Sequence, residues 1–160
     1  MARRFLVKPI GLAFVVLMLV TARAVSAPQG TESDALVKWL AAYDEAFNAR
    51  DLDRLATFYD SGVTVFEGSG VNDGWADYRG RHLGPELKAF EGLEFGHSEV
   101  QANLAPDGRA AYITARYFIK AKMGERMLDN VGLATYVVIK ADDGAWRILH
   151  SHTSGRPRQR

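Results

Sequence analysis

From Ser33 to Arg50 the apolar positions Leu36, Leu40, Tyr43 and Phe47 recur at spacings of four, three and four. That is the period of one helical face, so the sequence predicts an amphipathic helix capped by Thr31 or Ser33, with Tyr43 on its buried stripe. Asp51 follows as the cap of a short second helix in which Leu52, Leu55 and Tyr59 share a face. VTVFEG at 63–68 then reads as a short strand, and strand alternation puts Glu67 on the face of Val63 and Val65. The stretch 68–90 is broken by glycines, but Pro85 suits a first helical turn, giving a short helix on PELKAF with Leu87 and Phe90 facing in.

Beyond Leu93 the period changes to two. Strands are predicted at 93–104, 109–122, 128–140 and 145–153, separated by the turn sequences APDG, KMGE and ADDG. In the second of these, Ile113, Ala115, Tyr117 and Ile119 form the apolar face; in the third, Val131, Leu133, Val137 and Ile139 do. In the last, Trp146, Ile148, His150 and His152 fall on one face, and the two large apolar residues turn it toward the core. Both imidazoles are then carried inward or to a pocket rim, the alternative being a frayed strand end. His97 alternates with Glu99, Gln101 and Asn103, which reads as a solvated face. Short helices followed by an antiparallel meander make an α+β domain, with helices packed on one face of a sheet.

The N-terminus changes the charge balance. Residues 1–27 carry Arg3, Arg4 and Lys8, then an unbroken apolar run from Ile10 to Val20, then small residues, which is the layout of a secretory signal peptide. The run is shorter than the ~20 residues that span a bilayer, so no stable membrane anchor is expected after cleavage. The arginine pair resembles a twin-arginine signal, but the strongly apolar core favours the general secretory route. A secreted or periplasmic protein follows. Cleavage removes four of the 20 basic residues and leaves 16 against 19 acidic, about −3. A mildly acidic domain lacks the clustered basic surface that nucleic acid requires.

The chain has no cysteine, hence no disulfide and no thiol nucleophile. One domain is expected at 31–154, followed by a disordered basic tail at 155–160. GSG at 68–70 lacks the GxSxG pattern, and there is no Walker or GxGxxG loop. Glu67 with His150 and His152 could supply three metal ligands, yet nothing like HExxH or paired CxxC accompanies them, so neither metal nor cofactor is expected.

YDEAFNARDLDRLATFYDSGVTVFEG, a small helix, a meander of long strands and a terminal WRILHSH together resemble the nuclear transport factor 2-like superfamily, and within it SnoaL-like and ketosteroid isomerase-like proteins. The resemblance spans nearly all of 33–153. It implies a cone in which a strongly curved sheet wraps the helices and leaves a mostly apolar pocket at the open end, and a homodimer is expected. In the steroid-isomerising branch a first-helix tyrosine donates to the developing oxyanion, a carboxylate near the end of the first strand moves the proton, and a protonated aspartate assists. Tyr43 and Glu67 match the first two positions; the third falls on Thr135, which cannot replace a carboxylic acid.

The candidate catalytic set is therefore Glu67, Tyr43, His150 and His152, with His82, Trp75, Tyr117 and Trp146 as ligand-binding candidates. Each has a plainer reading: Tyr43 as a core tyrosine with one partner, Glu67 as a solvated strand end, His82 as a brace for the PELKAF helix. The expected function is binding of a small, largely apolar molecule. Acid–base chemistry of isomerase or hydrolase type and a non-catalytic binding or dimerisation module are both open.

Overall fold

The computed structural model describes residues 29–159, so the expected signal peptide lies outside the described residues. Helix α1 (Gln29–Asn48) begins ahead of both expected caps and buries Leu36, Leu40, Tyr43 and Phe47. Asp51 caps α2 (Leu52–Ala56), its side chain accepting from the Arg54 N–H. Strand β1 (Tyr59–Glu67) follows and turns back through β2 (Gly70–Asp73). The glycine-punctuated stretch is helical: α3 (Trp75–Asp77), a π-helical turn (Tyr78–Leu83) and α4 (Gly84–Ala89) run on without a break, with Pro85 in the first turn of α4.

The meander consists of β3 (Glu91–Leu104), β4 (Ala110–Met123), β5 (Arg126–Lys140) and β6 (Trp146–Pro157). The six strands form one mixed sheet in the order β2-β1-β6-β5-β4-β3, antiparallel except for β1 beside β6. Its concave face closes over α1 around a core that includes Leu36, Leu40, Ile113, Val138 and Ile148. The start of the tail is not disordered: Gly155–Pro157 continue β6 beside β5, and Arg158 donates to the Asp129 backbone oxygen.

Two bulges decide which side chains enter the cone, and both overturn a face expected from simple alternation. In β6 the register passes from Val138↔Ile148 to Val137↔His150, leaving Leu149 as an extra residue. One extra residue inverts the side-chain parity of everything beyond it. Trp146 and Ile148 are buried as expected, but Ser151 and Thr153 then face inward while His150 and His152 turn to the convex side. There His150 Nδ1 lies 2.8 Å from Thr64 Oγ1, and both imidazoles pack edge-on against Phe66.

In β3 the register shifts between Ser98 and Gln101, where Glu99 takes a φ of 51°. Ahead of that bulge Phe95 and His97 face inward with Leu93; beyond it Val100, Ala102 and Leu104 do. His97 is thus no solvated residue, its side chain being 1 % exposed.

A third correction concerns β5, where Ala134, Tyr136 and Val138 are buried and Leu133 is exposed. The inward face opens on Gly132 because the Tyr117 ring lies against Gly132 and Gly155: a Cβ on Gly132 would sit 2.5 Å from Tyr117 Cε1.

Helix α1 docks on β3 through side chains that bond its backbone. Asn48 Nδ2 donates to the Phe95 carbonyl at 2.8 Å, the Phe95 N–H donates to Asn48 Oδ1 at 2.8 Å, and the His97 N–H donates to Asp44 Oδ2 at 2.9 Å.

Candidate functional site

The space left between α1, the π-turn, α4 and the curved sheet is a cavity of about 250 Å³, near the lower end of small-molecule pockets. Apolar groups from Phe47, Val65, Leu83, Phe90, Phe95 and Ile119 form much of its wall. Polar groups line it as well, the tyrosines together with Glu67, Glu86, Arg126, Asn130, Ser151 and Thr153, and these can orient a ligand by hydrogen bonds.

Tyr43 and Glu67 both line this cavity, brought together by the helical stripe of α1 and the inward parity of β1. Tyr43 is 3 % exposed and its hydroxyl lies 2.8 Å from that of Tyr59. Tyr78 packs edge-on against Tyr59, with ring centroids 5.7 Å apart. Burial pushes the phenols of Tyr43, Tyr59, Tyr78 and Tyr136 far above their ordinary range, and the phenols' mutual proximity adds to it at all but Tyr59, so all four stay neutral donors near neutral pH.

Proton accounting gives this cluster a direction. Two phenols joined by one hydrogen bond hold two protons and use one, which leaves one donor for a ligand.

Glu67 stands at the end of β1 with its side chain 45 % exposed. Withdrawal from water raises its pKa above the usual carboxylate value, Glu86 adds to the rise, and His82 opposes it. His82 does not line the cavity; it acts on two carboxylates that do. Asp77 binds Arg81 and accepts from Asn72 Nδ2 at 2.9 Å, so the Asn72 oxygen is left to accept from His82 Nδ1 at 2.8 Å. That fixes Nδ1 as the protonated nitrogen. Nε2 then faces Glu86 Oε1 at 3.4 Å and Glu67 Oε2 at 3.6 Å. Three acceptors cannot face one another without a proton between them, and hydrogen bonding to Glu86, with the Glu67 charge, raises the His82 pKa accordingly.

The remaining candidates divide. Tyr117 lines the cavity, whereas Trp75 stacks on Tyr59 with ring centroids 4.7 Å apart and Trp146 lies under Lys140, its ring centroid 5.3 Å from Nζ. His150 and His152 stand on the opposite face of the sheet from Glu67, so those three do not converge on one ion. Thr135 is exposed; Tyr136, its neighbour, faces the cavity instead.

Alternation alone misses Asp44 and His97, whose Oδ1 and Nδ1 lie 2.6 Å apart, with His97 Nε2 2.8 Å from the Tyr136 hydroxyl. The one available signal for them was Asp44 beside Tyr43 on α1. Tyr59 was read on the face of the second helix with Leu52 and Leu55, whereas α2 ends at Ala56 and Tyr59 opens β1; Tyr78 carried no signal.

Among solved structures, a nuclear transport factor 2-like superfamily protein from Salmonella enterica serovar Typhimurium superposes with a TM-score of 0.71 at 18 % identity, covering 82 % of this chain and 95 % of that one. A candidate ketosteroid isomerase from Shewanella frigidimarina gives 0.63 at 24 % identity, with coverages of 76 % and 94 %. A candidate scytalone dehydratase from Novosphingobium aromaticivorans gives 0.70 at 15 % identity, with coverages of 80 % and 86 %. These likenesses establish the fold, which hosts unrelated chemistries. No curated protein matches the sequence. The fold is thus that of nuclear transport factor 2-like proteins; the family model of the SnoaL-like domain matches residues 36–158, nearly the whole described chain, and the protein belongs to that family.

Proposed function

We propose that the cavity binds a small, largely apolar carbonyl compound and that Glu67 and Tyr43 carry out acid–base chemistry on it. The observation that carries this reading is the convergence of a carboxyl of raised pKa and neutral phenols on one cavity whose wall includes Phe47, Val65, Leu83, Phe90, Phe95 and Ile119. Glu67 as carboxylate takes a proton from the carbon next to the carbonyl; the C–H electron pair moves to form the enolate, whose oxygen accepts from the phenol network. Where the substrate carries a β,γ double bond the enolate is a dienolate, and returning the proton to its γ-carbon moves the double bond into conjugation and completes an isomerisation without cofactor. A carboxyl whose pKa lies nearer the working pH is a better proton carrier than an ordinary one.

Turnover of small enolisable ketones tests it. Glu67→Gln is expected to lower the rate by at least ~10²-fold, the effect of losing a positioned base, and Tyr43→Phe by less because Tyr59 adjoins it. Undiminished turnover in Glu67→Gln overturns the assignment and leaves the non-catalytic binding module. Export is proposed alongside, resting on the order of residues 1–27. N-terminal sequencing of protein from a secreting bacterial host should find a start within 25–28; intact Met1 in the soluble fraction would refute it.

A further inference from the structure

Tyr136 does not belong to the phenol network that donates to a ligand. Its hydroxyl lies 2.8 Å from His97 Nε2, and His97 Nδ1 lies 2.6 Å from Asp44 Oδ1. The other oxygen of Asp44 accepts the His97 backbone N–H at 2.9 Å. A carboxylate can only accept, so Nδ1 carries the imidazole proton. A neutral imidazole has one N–H, which leaves Nε2 as a lone pair for the Tyr136 proton. Both ring nitrogens are then satisfied, in a side chain 1 % exposed. The phenol proton is spent on the protein side, while Tyr136 is one of the residues that line the cavity.

We infer that Tyr136, oriented by Asp44 through His97, is an acceptor-only anchor that selects ligands presenting an O–H (an enol, phenol or alcohol) at that end of the cavity. Opposite in sense to the Tyr43–Tyr59 donor, it makes the pocket complementary to molecules carrying both a carbonyl-type oxygen and a hydroxyl. This rests on the proposal that the cavity takes a small molecule, but not on Glu67 acting as a base. Asp44 is a positioning residue: it acts on the ligand only through the imidazole.

The test is binding of 2-naphthol against its methyl ether, 2-methoxynaphthalene, followed by fluorescence or calorimetry on the unmodified protein. One hydrogen bond to an otherwise buried acceptor should favour 2-naphthol by about tenfold. Tyr136→Phe should reduce that preference to within about twofold, because the acceptor is gone while the ring remains. In Asp44→Asn the new amide must place its NH₂ against one of the two former donors. Keeping the backbone N–H bond puts that NH₂ against Nδ1, which moves the imidazole proton to Nε2 and frees the Tyr136 proton. The naphthol preference should then disappear or reverse, and ¹⁵N chemical shifts of His97 should exchange their assignments between the two ring nitrogens.

Equal binding of the two probes, or a preference that survives Tyr136→Phe, overturns the anchor while leaving the Glu67 chemistry untouched. If neither probe binds, the anchor and the small-molecule reading fail together. Should Asp44→Asn not fold, Tyr136→Phe alone decides. Loss of turnover in Glu67→Gln has no bearing on the naphthol preference, so the two proposals fail separately.

Discussion

His82 stands beside Glu67 without sharing its cavity, Nε2 to Oε2 being 3.6 Å, and is held there by a buried asparagine whose orientation a second carboxylate fixes. The imidazole is therefore a fixed positive neighbour whenever it is protonated.

Replacing it should shift the pH profile. His82→Gln removes a charge that lowers the Glu67 pKa, so the acid limb of any Glu67-dependent activity should move to higher pH, with a much smaller change at alkaline pH. A steady-state pH–rate series checks this; an unmoved limb would disconnect His82 from Glu67.

Stability should follow the imidazole with the opposite dependence on pH. The folded protein raises the His82 pKa above 6.5 through Glu86 first, then the Glu67 charge. A raised basic group contributes its full stabilisation below the unfolded pKa and loses it as pH rises through the folded one. His82→Gln should accordingly cost more stability at pH 5.5–6 than above pH 8, as read by denaturant midpoints.

Glu67 titrates to the protein's disadvantage. Its folded pKa is raised from 4.5, so the folded state holds the proton more tightly than the unfolded chain and loses stability as pH climbs through the window that opens there. The Tm of Glu67→Gln minus that of the parent should grow between pH 4.5 and neutrality and then level off, whatever the constant offset between the two proteins.

Crowding at the sheet's concave face gives a packing test. A Cβ on Gly132 would lie 2.8 Å from Gly155 Cα and run into the Ser154 carbonyl, none of which a side-chain rotation relieves. Gly132→Ala should cost at least ~1–3 kcal/mol. On Gly155 the obstruction is the Tyr117 hydroxyl, so Gly155→Ala should be milder and Tyr117→Phe should relieve part of it, a coupling that a double-mutant cycle in urea measures.

The periodic parts of the fold were legible because periodicity needs no knowledge of the neighbours. The stripe Leu36, Leu40, Tyr43 and Phe47 buried as read, and Val63, Val65 and Glu67 kept a common face, so Tyr43 and Glu67 could be placed together. Parity propagates only as far as the strand stays regular. Nothing in WRILHSH announces that Leu149 is the extra residue, since the bulge is defined by pairing with β5. The same holds at Glu99, where an ordinary acidic residue takes a left-handed φ. In β5 the aliphatics Val131, Leu133, Val137 and Ile139 suggested the wrong face, because the inward positions are taken by Gly132 against Tyr117, then Ala134, Tyr136 and Val138. The π-turn, too, was hidden: Gly80 and Gly84 punctuate a stretch that nonetheless stays helical.

Asn48 and Asp44 have a consequence beyond orienting His97. Strand β3 is the last in the sheet, and an outermost strand offers its free amides and carbonyls to any passing chain. Over Phe95–His97 those groups are already engaged by α1, which takes the place of a seventh strand without being one. The residue that bonds the imidazole therefore also occupies part of the sheet's free edge. Asn48→Ala, which leaves the cavity intact but reopens Phe95, should lower stability by about 1–3 kcal/mol and make the protein more prone to concentration-dependent aggregation, visible by light scattering.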